Sequence, residues 1–62
     1  MDKMTIYFKD GRVKRIENMR DFYLSADEVN GENLLVIKWF DEYNTPVVSK
    51  LPIERIEMAA IK

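Results

Sequence analysis

Asp10-Gly11 and Asn30-Gly31 contain both glycines of this chain, and each pair lies between two runs of strand-forming residues. A two-residue hairpin turn needs positive φ at both central positions, which Gly adopts freely and Asn or Asp at modest cost. The first dipeptide predicts strands over 3–9 and 12–17, and the second predicts strands over 20–28 and 33–40.

The second turn makes the sharper claim. A two-residue loop pairs Val29 with Glu32, and therefore Ala26 with Leu35, Leu24 with Ile37 and Phe22 with Trp39. All six are apolar and share one face, which predicts an interior there. In the first hairpin the same geometry pairs Phe8 with Val13 but sets Ile6 against Arg15, so a one-residue bulge near Lys14 or Arg15 is expected to bring Ile16 opposite Ile6.

A third hairpin follows if residues 41–45 form a loop, since Trp39 then meets Val47, Ile37 meets Ser49 and Leu35 meets Leu51. Pro46 suits the first position of a strand. In the tail LPIERIEMAAIK, Pro52, Ile53 and Ile56 fit one helical turn near 52–56, after which Ile56, Met58 and Ala60 alternate as a strand does. Because Glu54 to Lys62 are mostly good helix formers, a four- to five-stranded sheet with a C-terminal helix is the alternative. The expected fold class is all-β: one domain over 1–62, an antiparallel meander of five to six short strands forming a small open barrel.

The KDG and NGEN turns and the LPIERI tail before a final strand resemble short uncharacterised small-β-barrel proteins of Gram-positive bacteria and their phages or mobile elements. The resemblance implies a Src-homology-type barrel, and it brings no catalytic residue with it.

Composition narrows the chemistry. At 62 residues, folding hides only about 60% of the surface of the unfolded chain, so the core is small. With neither cysteine nor histidine, disulfides, the usual zinc ligands, the best nucleophile and the commonest general base are missing. Ser25 and Ser49 fall inside expected strands with no glycine elbow around them. No enzyme, cofactor or metal site is expected. The two glycines are already used by turns, which leaves no loop to cradle phosphate. Placing Gly31 at the sixth position of an EF-hand loop puts Ala26 first and Ile37 twelfth, where oxygen ligands belong, and the match fails. Asp27, Glu28 and Glu32 could form only a weak cation site. Asp27/Glu28 and Asp41/Glu42 read as solvated loop ends. No apolar run of membrane-spanning length and no secretory signal is visible, so a cytoplasmic location is expected.

Ten basic and eleven acidic side chains nearly cancel, but they are unevenly placed. Residues 9–20 carry five basic and two acidic side chains, whereas residues 21–44 carry six acidic and one basic.

Two surfaces therefore compete. If Leu35, Ile37 and Trp39 face inward, then Leu34, Val36 and Phe40 face outward, with Tyr23 opposite Lys38 and Val48 nearby. Either Ile56, Met58 and Ile61 cover this second face, or it binds a protein. The protein-binding patch is then Tyr23, Leu34, Val36, Phe40 and Tyr43 with an acidic rim of Asp21, Asp41 and Glu42. The partner would be a host or element-encoded protein, met by charge complementarity, or a second copy in a structural homo-oligomer. The alternative is nucleic-acid binding through Tyr7, Lys9, Arg12, Lys14, Arg15 and Arg20 around the first hairpin, a basic groove with a stacking aromatic.

Overall fold

A computed structural model describes residues 2–62. Five strands, β1 (Asp2–Phe8), β2 (Val13–Asp27), β3 (Glu32–Phe40), β4 (Pro46–Pro52) and β5 (Ile56–Ile61), form one sheet in the order β4-β3-β2-β1-β5. Every neighbouring pair is antiparallel. The sheet is strongly bent but not closed: β4 and β5 are its two edges. The tail is a single 3-10 turn, Ile53–Arg55, followed by β5, so the C-terminal helix and a sixth strand are both absent from the described residues. Among the described residues no helix is long and apolar enough to cross a membrane.

The expected strands over 12–17 and 20–28 are one continuous strand. β2 pairs with β1 through its first half and with β3 through its second, and Met19 faces Asp2 on one side and Trp39 on the other. Two bulges make this possible. Glu17 and Asn18 lie opposite the single residue Lys3, and Arg20 is an extra residue between the pairs Met19–Trp39 and Asp21–Lys38. A bulge bends its strand and increases local twist, so β2 folds the sheet over on itself at this point.

Met4, Ile6, Ile16, Met19, Leu35 and Ile37 fill the enclosed side, with Phe8, Trp39, Leu51, Ile53 and Ile56 packed around them. Each strand supplies these residues at alternate positions, broken only where a bulge shifts the parity.

Both hairpin turns differ from expectation in loop length. Neither Asp10 nor Asn30 has positive φ, while Gly11 (93°) and Gly31 (69°) do. A two-residue turn with both central residues left-handed is therefore not formed. In the first hairpin Gly11 N–H donates to the Phe8 carbonyl (3.0 Å) and Phe8 N–H to the Arg12 carbonyl (2.9 Å). That is a three-residue loop with a left-handed Gly, and it pairs Tyr7 with Val13 and Ile6 with Lys14. No bulge occurs at Lys14 or Arg15, and Ile16 faces Met4 instead of Ile6.

In the second hairpin Gly31 N–H donates to the Asp27 carbonyl (2.7 Å), and the Asp27 carboxylate accepts from Val29 N–H (3.0 Å) and the Asn30 side-chain amide (3.1 Å). The loop is thereby four residues long and the register moves by two: Leu24 faces Leu35 and Phe22 faces Ile37. A two-residue shift preserves which side each residue takes. Trp39 still packs inward, and Phe40 occupies the opposite face.

The interior expected for Phe22, Leu24 and Ala26 does not form. These three are exposed, Leu24 at 72%. Beyond Met19, β2 has lost its β1 neighbour, and the 3-10 turn packs against β3.

Candidate functional site

The outer face of β2, β3 and β4 carries an apolar surface outside the core. Alternation puts Leu34, Val36, Lys38 and Phe40 of β3 on this face, between Asp21, Tyr23 and Ser25 of β2 and Pro46, Val48, Lys50 and Pro52 of β4. Val36 is at the centre, opposite Tyr23 on one side and Lys50 on the other. It is only 2% exposed. Tyr23 and Val48 project beside it, 45% and 55% exposed.

Tyr23 lies opposite Val36 rather than Lys38, a consequence of the two-residue register shift; Lys38 sits between Asp21 and Val48. Its Nζ is 5.7 Å from the Tyr23 ring centroid. Along the same face the Arg20 guanidinium stands 5.5 Å from the Phe40 ring. A cation over an aromatic face is attracted by the ring quadrupole while the alkyl stem shields apolar surface. Phe40 and Leu34 are half-buried.

The structure thus brings Tyr23, Leu34, Val36 and Phe40 onto one face, as expected, but redistributes their roles. Leu34, Val36 and Phe40 form the floor, and Tyr23 projects from it. Val48 and Lys50 complete the surface, and the alternation Pro46, Val48, Lys50, Pro52 was the signal for them. The C-terminal segment does not cover this face: β5 pairs with β1, two strands away from β3.

The acidic rim is not assembled as expected. Asp41 is half-buried and organises its loop: Oδ1 accepts from Tyr43 N–H and Thr45 N–H, each at 2.9 Å, and its carbonyl accepts from Asn44 N–H at 2.9 Å. This fold-back holds Asn44 at φ 61°. Glu42 and Tyr43 are exposed at the tip, Tyr43 at 80%. Asp21 lies opposite Lys38, and its Oδ1 accepts from Phe22 N–H at 2.8 Å.

The basic residues of the alternative reading do not converge. Tyr7 and Arg15 lie on the outer face, Tyr7 opposite Val13 and Arg15 opposite Thr5. Lys14 lies on the enclosed side, opposite Ile6, with Nζ 5.6 Å from the Trp39 ring. Arg12 is tied to Asp10, Nε to Oδ2 at 2.7 Å, and stacks 5.4 Å from the Phe8 ring centroid. Arg20 covers Phe40, and Lys9 continues past β1, its N–H donating to the Arg55 carbonyl at 2.9 Å. The Asp10 carboxyl is held below its ordinary pKa, first by accepting the Arg12 backbone N–H and then by the Arg12 side chain.

Asp27, singled out as part of a weak cation site, spends its carboxylate on the loop N–H groups. No group of three or more carboxylates among the described residues is placed to hold a metal ion. Comparison of the chain with protein-family models, curated proteins and solved structures finds no match.

Proposed function

We propose that this protein is a non-enzymatic binding module that engages another protein through the outer face of β2, β3 and β4. The observation that carries this reading is the pair Tyr23 and Val48, both about half exposed, with Tyr23 of β2 directly opposite buried Val36 and Val48 of β4 diagonal to it. A tyrosine and a valine raised over a packed apolar floor offer contact area at little cost in side-chain ordering. Lys38 and Lys50 flank them. The partner that fits is a protein segment with an apolar side chain seated between Tyr23 and Val48 and carboxylates reaching the two lysines.

Phe22 supplies the control, because it is the next residue along β2 and points to the opposite face. A photo-crosslinking phenylalanine analogue at position 23, expressed in the cells that make the protein, should capture a discrete partner; at position 22 it should not. The captured product should disappear on Val48→Asp. Equal capture from both positions, or none from position 23, overturns the reading.

A further inference from the structure

The two edges of the sheet are not equivalent. In an antiparallel ladder, alternate residues bond to the neighbouring strand and the residues between them direct N–H and C=O away from it. On β4 the phase is set by Asp41 N–H donating to the Thr45 carbonyl (3.1 Å). Val47, Ser49 and Leu51 therefore bond to β3, and Pro46, Val48, Lys50 and Pro52 face the free edge. Both prolines fall on edge-facing positions, where they delete two of four outward donors, and Lys50 adds a charge. This is how natural sheets prevent a further strand from adding.

On β5 the phase is set by Lys3 and Lys62, which exchange both backbone bonds (3.2 and 2.9 Å). Ala60 and Met58 then bond to Thr5 and Tyr7, and Ala59 and Ile61 direct their N–H and C=O outward. No proline or lysine interrupts residues 56–61, and Glu57, Met58, Ala59 and Ile61 are all exposed. This edge has no proline, and its only guard is the bulged, charged Glu57 near its start.

We infer that β5 is a dimerisation edge, pairing antiparallel with β5 of a second copy of this chain about a two-fold axis through Ala59. A two-fold axis relating antiparallel strands keeps each face of the sheet on the same side, so paired residues must come from the same face. Centring on Ala59 satisfies this condition and the outward bonding phase together. Ala59 exchanges both bonds with its copy, Ile61 meets the bulged residue Glu57, and Met58 meets Ala60. No like charges oppose each other. The small side chains at 59 and 60 leave the backbones free to approach to the roughly 4.8 Å that strand pairing needs. Such pairing would shield Met58 and Ile61, and it would place both Tyr23 surfaces on one side of a continuous ten-stranded sheet.

The test uses the full chain by sedimentation equilibrium from micromolar to millimolar concentration, with amide exchange read at the same time. The wild type should pass from monomer to dimer, with Ala59 and Ile61 amides becoming protected as it does. Ala59→Lys and Ala59→Glu should each remain monomeric, since each opposes like charges across the axis, and an equimolar mixture of the two should recover the dimer. Ala59→Pro should also remain monomeric with an unchanged fold, because the N–H it removes has no partner within the monomer. A wild type that stays monomeric throughout the range overturns the inference, as does a dimer indifferent to Ala59→Lys or a mixture that fails to recover association. Tyr23→Ala should leave the association unchanged, which separates this edge from the binding face.

Discussion

The indole Nε1–H of Trp39 donates to the hydroxyl of Ser49 at 3.0 Å, across β3 and β4 on the enclosed side of the sheet. A tryptophan there brings large apolar area but one donor that must be satisfied, and Ser49, diagonally across β4, satisfies it. Ser49→Ala leaves that donor without its partner in a half-buried site and should cost about 1–2 kcal/mol in denaturant unfolding followed by Trp39 fluorescence. Ser49→Thr, which keeps the hydroxyl, should cost less.

Ile6 and Ile37 are fully buried, at the centre of a core of six buried side chains. Truncating either to Ala should cost about 2–5 kcal/mol. A domain of this size has a total stability of only about 3–9 kcal/mol. Ile37→Ala is therefore expected to be largely unfolded at 37 °C by circular dichroism, while Leu24→Ala, at an exposed position of the adjacent strand, should unfold close to the wild-type midpoint.

Gly31 and Gly11 adopt left-handed backbone with open space where a Cβ would go, so their replacement costs conformational energy alone. Gly31→Ala and Gly11→Ala should each lower stability by about 1–2 kcal/mol without changing the native spectrum. Gly31→Asn should recover part of the loss, since Asn tolerates this region better than Ala.

Asp10 gives the pH dependence a definite sign. Its folded pKa lies below the ordinary 3.8 because the carboxylate accepts from Arg12. Its contribution is present above that ordinary value and is lost as pH falls through the lower folded one. Asp10→Asn should remove this part of the acid-side loss of stability, below about pH 4, and leave the curve flat from pH 6 to 8. The residue is fully exposed, so the effect should also shrink in high salt.

Changes on the proposed binding face should act on affinity and not on folding. Tyr23→Ala and Val48→Asp both alter projecting side chains and should stay within about 0.5 kcal/mol of wild type in urea unfolding. Val36→Asp, by contrast, buries a charge under the same surface and should unfold the domain. That contrast separates floor from contact residues.

The sides of the strands were legible, and so was the register of β3 with β4, where Trp39 meets Val47, Ile37 meets Ser49 and Leu35 meets Leu51 as expected; the registers of the two glycine hairpins were not. Trp39 and Phe40 take opposite faces because strand alternation is local, and it survived a loop two residues longer than the Asn30-Gly31 dipeptide implied. What lengthened that loop was Asp27, whose carboxylate gathers the loop amides; a side chain four positions before the glycine outweighed the dipeptide's own preference. The same holds at Asp10-Gly11, where Arg12 returning to Asp10 accompanies a three-residue loop. Burial was the least legible feature. Met19 is core and Leu24 is not, and the difference is set by where β1 stops running beside β2, which no pattern within β2 encodes. In the candidate site Tyr23, Val36 and Phe40 followed from parity, and the expected register of β3 with β4 already set Lys50 opposite Val36.

Met4 pairs with Ile16 on one side and with Ile61 on the other, so most of the described chain lies between its two neighbours. During synthesis on the ribosome, β1 can be held by β2 early but must wait for β5 to leave the exit tunnel. Until then its second edge is available to any other nascent strand nearby. Contacts this distant in sequence form slowly, so the docking of β5 on β1 is expected to come late in folding.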